Sequence, residues 1–303
     1  MAENKSIPLF DELGRLIWTD REEFRQRVIP ENLQADWDYP ENLYAFTVQL
    51  YRDGFLHEAD QGADRLLELS GRAEEALLLK GLILKRQDKN TEAEAVLEEC
   101  VRRYPERGVA YTYLARLYAG QSEEKAVTAL QKGLEKEPNQ ATALRLLAHS
   151  AKDAEQAVEL LKPYTELEES WWPQLELGRI YLAQGKVEEA MVEFRSSIEK
   201  TRAYRGEEGL PEWEEEVVAM TVSSLLRKYS FDEELIQFSQ SYWTPQFLTP
   251  FSGLDYAQVL DEKGQERKAV EVVEEMLPFC EANYQPMLQL KIHQLEGKVG
   301  SRV

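Results

Sequence analysis

The feature that most restricts this chain is a pattern of small and large residues recurring at intervals of about 34 residues. Between Trp171 and Tyr204, Leu177, Gly178 and Tyr181 share one face of a helix, Gly185 interrupts it, and Ala190 and Phe194 sit four apart on a second helix. The arrangement is repeated upstream by Gly81 and Leu84 with Ala93, Leu97 and Pro105, and by Leu114, Ala115 and Tyr118 with Ala126, Leu130 and Pro138. Each copy reads as two helices joined by a tight turn. Gly81, Ala115 and Gly178 let the two helices approach closely, and Ala93, Ala126 and Ala190 let the next pair dock.

This arrangement resembles the tetratricopeptide repeat, which reads Trp-x2-Leu-Gly-x2-Tyr, then Ala-x3-Phe, then Pro. In the copy at 171–204, Gln174 replaces the tryptophan and the closing proline is missing, whereas both upstream copies end in proline. The resemblance covers about residues 41 to 204 and 250 to 297. It implies an all-α fold, an α-solenoid (right-handed superhelix) of stacked tetratricopeptide-type helical hairpins. A repeat array lengthens without enlarging any single core, so 303 residues read as one continuous superhelix.

The expected organisation follows. Residues 1–40 are an N-terminal helical cap, with Leu9, Leu13, Leu16 and Ile17 on one helical period and Phe24 and Val28 on another. Residues 41–204 hold five tetratricopeptide-like repeats, and Pro163 predicts a kink or an early end to the second helix of the fourth. Residues 205–249 are a divergent helical pair with an aromatic connector, preceded by a glycine- and proline-containing loop across 201–213. Residues 250–303 are the last repeat plus a C-terminal capping helix near Gln285 to Leu295.

With 56 acidic against 36 basic residues, the formal net charge is −20, which opposes general binding to nucleic acid or to an anionic membrane. The cysteines Cys100 and Cys280 lie far apart along a solenoid, no apolar run reaches a bilayer-spanning length, and a cytoplasmic location is expected. His57, His149 and His293 fall on separate repeats without a paired ligand, so no metal is expected. No phosphate loop, nucleophile elbow or nucleotide fingerprint occurs, so neither a cofactor nor enzymatic activity is expected.

In this family the first helix of each hairpin lines the concave surface that binds partners. The inward positions it implies are Phe46, Gln49 and Arg52, then Lys85 and Arg86, Tyr113 and Arg116, Arg145, His149 and Lys152, and Trp172 and Arg179. Arg and Lys make up most of them in a strongly acidic chain, so the inner face reads as a basic, aromatic-lined groove for an acidic partner. The competing reading is a face neutralised by Glu176, Asp153 or Glu75. Ala45, Phe46 and Gln49 stand where a chaperone-tail clamp would need Lys and Asn.

The function expected is a non-enzymatic protein–protein interaction scaffold that binds a partner protein or an acidic extended peptide. A bacterial peptide-sensing regulator of helical-repeat type is the alternative, set back by the short segment before the first repeat and by the acidity. An enzyme would have to form its pocket from 205–249, where Trp213, Tyr229, Tyr242 and Trp243 concentrate.

Overall fold

A computed structural model describes residues 6–10, 15–69, 73–167, 169–203 and 210–301, and the chain divides into two compact units, Met1–Glu137 and Pro138–Val303. The first unit opens with an antiparallel hairpin, β1 (Ser6–Phe10) on β2 (Leu16–Asp20), with Ile7 opposite Thr19 and Leu9 opposite Ile17. A helix was the expectation here. Leu9, Leu16 and Ile17 instead lie in strands, and Leu13 falls outside the described residues. Pro8 has no N–H to give a helix interior, and Ile17, Trp18 and Thr19 are residue types that favour a pleated surface.

Helical structure begins at Asp20, whose carboxylate accepts from the backbone N–H groups of Glu22 and Glu23 and caps α1 (Arg21–Glu23). A π-helical turn (Phe24–Val28) and α2 (Ile29–Asp36) continue it. Three helical hairpins follow: α3 (Pro40–Asp53) with α4 (Leu56–Leu69), α5 (Ala73–Arg86) with α6 (Asn90–Arg103), and α7 (Val109–Tyr118) with α8 (Glu123–Lys136). Each packs on the next, α4 on α5 and α6 on α7, while the first helices α3, α5 and α7 lie side by side.

The second unit repeats the plan with α9 (Ala141–His149) and α10 (Ala154–Thr165), α11 (Trp172–Ala183) and α12 (Val187–Arg202), α13 (Trp213–Lys228) and α14 (Asp232–Tyr242), and α15 (Phe251–Glu262) and α16 (Glu266–Met276). A last helix, α17 (Gln285–Ser301), packs on α16. The helix α10 passes through Pro163 and ends two residues later, at Thr165. Of the loop expected across 201–213, residues 204–209 lie outside the described part.

Two devices recur. The turn inside every hairpin except α9–α10 carries a residue at positive φ, namely Gly54, Asp88, Gly120, Gly185, Ser230 and Gly264, because closing the helix C-terminus there uses the left-handed conformation that glycine adopts without a Cβ clash. Within a hairpin, small residues sit under large ones: a Cβ on Gly178 would stand 2.2 Å from the Phe194 ring, and one on Gly81 2.7 Å from Leu97. Ala93 and Ala190 are fully buried, Ala126 half-buried. The fold is therefore all-α and of the α-solenoid type, tandem helical hairpins, with the short β-hairpin ahead of them.

Candidate functional site

The first helices carry most of the residues singled out in the sequence. In the first unit, cations gather where these helices end. Arg86, at the end of α5, donates to the Tyr51 carbonyl of α3 and sets its guanidinium 5.2 Å from the Tyr51 ring centre. Lys85 donates to the Arg116 carbonyl of α7 at 2.5 Å. Arg52 is exposed beside Tyr51, and neither Arg52 nor Arg116 forms an ion pair among the described residues.

Arg21 extends the row and was not foreseen from the sequence. It donates to the Asp53 carbonyl and lies over the Phe55 ring at 4.0 Å. A Cβ on Gly54 would be 3.4 Å from the Arg21 guanidinium and 3.8 Å from that of Arg86, so both gather at the α3 turn. Cations suit helix C-termini, where carbonyl oxygens lack partners. A carbonyl carries no net charge, however, and these contacts leave the positive charge standing. Burial, and after it the neighbouring Arg116, push the Lys85 ammonium below its usual value. The carboxylate next to the row, Asp53, takes a hydrogen bond from Gln49 at 2.8 Å. Tyr113 is half-buried on α7, and Phe46 packs against the core of the first hairpins.

In the second unit the same class of cation meets carboxylates. Glu176, 2% exposed on α11, receives Nε and Nη2 of Arg179 at 2.9 and 2.5 Å, and Arg145 stands 3.7 Å from its other oxygen. The Glu176 hydrogen bond holds Arg179 above the ordinary arginine value. Glu176 is thus the neutralising partner named in the sequence, whereas Asp153 caps α10 by accepting from Gln156 N–H and Glu75 is exposed. Lys152 lies in the turn before α10 rather than on a first helix, with its own N–H donating to Gln156. His149 is exposed at the end of α9.

Trp172 is half-buried and packs against Trp171, with ring centres 4.9 Å apart and planes tilted by 53°. Asn139 places both, its side-chain oxygen accepting from the N–H groups of Trp171 and Trp172 at 2.9 and 3.0 Å. The run Glu214-Glu215-Glu216 at the start of α13 reads from sequence as dipole-facing acid, yet Glu215 and Glu216 turn inward. Arg202 pairs with Glu215 at 2.9 Å, and Glu216 accepts from the N–H groups of Leu248 and Thr249 at 2.8 Å, fastening the aromatic connector.

Among the described residues no group of His, Cys, Asp and Glu could hold a metal ion, and no helix is long and apolar enough to cross a membrane. Cys100 and Cys280 are buried free thiols, each pushed up to about 11 by burial, and so stay protonated at neutral pH.

Tandem hairpins keyed by small-on-large contacts define a helical-repeat protein. The tetratricopeptide repeat family model matches residues 75–107, which span α5, α6 and the turn after them. Residues 75–107 are thus a tetratricopeptide repeat, and helical hairpins of the same build recur along both units. No curated protein matches it in sequence. Among solved structures it is similar to yeast Tom70, with 14% identity and a TM-score of 0.48 over 93% of this chain and 60% of that one. It is also similar to TTC0263, a thermophilic tetratricopeptide-repeat protein of Thermus thermophilus, with 19% identity and a TM-score of 0.37 over 63% of this chain and 97% of that one. A third is YrrB, described as a tetratricopeptide-repeat protein with an unusual peptide-binding site, with 17% identity and a TM-score of 0.35 over 59% and 94%. The chain spans less than two thirds of the Tom70 chain. Tetratricopeptide folds are protein-interaction scaffolds and are generally not enzymes.

Proposed function

We propose that this protein is a non-enzymatic scaffold that captures an acidic, extended segment of a partner protein on the cation row of its first unit. Arg52, Arg86, Lys85 and Arg116, with Arg21 beside them, supply the charge, and Tyr113 supplies an apolar contact. The observation that carries this reading is that Lys85 and Arg86 end on backbone carbonyls, while Arg52 and Arg116 have no carboxylate partner among the described residues. Guanidinium forks left in this way are suited to carboxylates, and a row held by packed helices loses little freedom on binding. Arg179, held by Glu176, contributes position rather than free charge, and Arg145 shares the same carboxylate from 3.7 Å.

A net charge of −20 supports a protein partner over nucleic acid or an anionic membrane, and two buried free thiols suit a reducing, cytoplasmic setting. Retention of partners from a cell lysate tests the proposal. The wild-type chain is expected to hold an acidic protein at low salt and release it at high salt, and Arg52→Glu with Arg116→Glu is expected to hold none while keeping its helical spectrum. Retention unchanged in that variant would refute the reading.

A further inference from the structure

The second helices of consecutive hairpins leave a cleft between them, floored by the first helix that lies below. In the first unit the cleft between α6 and α8 has Tyr111, Leu114 and Tyr118 of α7 as its floor, and Tyr118 donates its hydroxyl to Glu94 at 3.0 Å. In the second unit the cleft between α10 and α12 measures about 530 Å³ and has Gln174, Leu177 and Tyr181 of α11 as its floor. The two clefts share a plan and differ in how their polar atoms are satisfied.

Gln174 occupies the repeat position that holds Leu43, Leu77, Tyr111 and Leu144 in the four preceding hairpins and tryptophan in the family pattern. It is 1% exposed, its amide nitrogen donates to the Thr165 carbonyl at 3.0 Å, and its oxygen has no hydrogen-bond partner among the described residues. A buried acceptor without a donor is costly, and a polar residue where the repeat wants a large apolar one marks a site shaped for something other than packing. Val158 stands where Glu94 stands in the other cleft, and the Tyr181 hydroxyl has no partner among the described residues. Glu193, half-buried on the α12 wall, forms no ion pair among the described residues, and burial raises its carboxyl above the usual range.

We infer that this cleft is a docking site for a short, uncharged, extended peptide segment of a partner. Gln174 Oε1 accepts from a peptide N–H, and the Tyr181 hydroxyl donates to a peptide carbonyl. Gln174 and Tyr181 are seven residues apart on one helix, about 10 Å, which is the reach of about three residues of extended chain. Leu177 and Val158 lie between and beside them as the apolar contact for a side chain, with Val192 on the rim. Charge complementarity points to a neutral backbone: Lys162 and Lys200 are balanced by Glu166 and Glu193, and Lys200 is already used by the Thr165 and Leu167 carbonyls and the Ser170 hydroxyl. This site is separate from the first-helix cations.

The test is a titration of the full chain with acetyl-Ala-Leu-Ala methylamide, followed by amide nitrogen–proton spectra. Saturable shifts are expected at Leu177, Ser196 and their neighbours, weakened at least fivefold in Gln174→Leu and in Tyr181→Phe and unaltered in Arg52→Glu with Arg116→Glu. Tyr181→Phe keeps the ring and so serves if Gln174→Leu perturbs the fold. Absence of saturable shifts, shifts centred on other helices, or wild-type affinity in both variants would overturn the assignment.

Discussion

In the first unit, Arg86 and Lys85 end on the carbonyl oxygens of Tyr51 and Arg116; in the second, Arg145 and Arg179 end on the buried carboxylate of Glu176. Both sets lie on first helices, and both look alike in the sequence. A carbonyl completes a helix terminus and leaves the cation's charge available to a partner. A buried carboxylate consumes one such charge, here that of Arg179 at 2.5 Å, because an unpaired carboxylate in a low-dielectric interior is far costlier than an unpaired surface cation. The same residue type therefore keeps its charge at the surface in one region and is tied into the fold in the other.

The largest expected effect follows directly. Arg179→Ala leaves Glu176 buried with only the distant Arg145, and is expected to cost about 2 to 4 kcal/mol in urea unfolding. Arg116→Ala, which strands no carboxylate, is expected to stay within about 0.5 kcal/mol of wild type. Comparable losses from both would erase the distinction drawn between the units.

Packing should not distinguish them. Gly178→Val and Gly81→Val each drive a side chain into Phe194 or Leu97, and each is expected to cost about 1 to 3 kcal/mol by thermal unfolding. A large loss in one and none in the other would mean that the hairpins of the two units are not built alike.

A smaller effect concerns pH. Burial raises the carboxyls of Glu193 and Asp255, both in the second unit, above their ordinary values of 4.5 and 3.8. Groups raised on folding contribute stability that is complete below the ordinary value and is lost as pH rises through the folded value. Glu193→Gln is accordingly expected to raise the urea midpoint at neutral pH, with the gain shrinking as pH falls through the raised folded value and gone below 4.5. A gain that persists unchanged in acid would remove the assignment of a raised carboxyl.

The smallest concerns the turns. Ser230 in the second unit and Asp88 in the first hold positive φ where other hairpins use glycine. Ser230→Gly is expected to add about 0.5 to 1 kcal/mol, and Asp88→Gly less, since aspartate tolerates the left-handed region better than serine. Equal gains by calorimetry would argue against that ranking.

The turn glycines and the small residues under Leu97 and Phe194 were legible in the sequence because both depend on spacing within a single hairpin. The cations at 52, 85, 86, 116, 145 and 179 were legible for the same reason. Their partners were less so. Arg86 reaches Tyr51, and Glu216 reaches Leu248 and Thr249, through docking of segments more than thirty residues apart, and no local pattern encodes that. Glu215 and Glu216 resemble a solvated helix start until Arg202 and the connector are seen to cover them. At the N-terminus, Leu9, Leu16 and Ile17 satisfy a helical template and a strand template equally, and pairing of β1 with β2 decides between them. The unpartnered oxygen of Gln174 had one sequence signal, its place at a position the repeat reserves for a large apolar residue.

The central claim, that Arg52 and Arg116 of the first unit carry uncompensated charge for an acidic partner whereas Arg145 and Arg179 of the second share the Glu176 carboxylate, is tested most directly by fluorescence titration with one labelled glutamate-rich decapeptide. Wild type and Arg145→Ala are expected to bind with similar affinity, weakening as salt rises, and Arg52→Glu with Arg116→Glu to show no binding while unfolding at the wild-type temperature. Binding that survives the Arg52 and Arg116 reversal, or that is abolished by Arg145→Ala, would contradict the account.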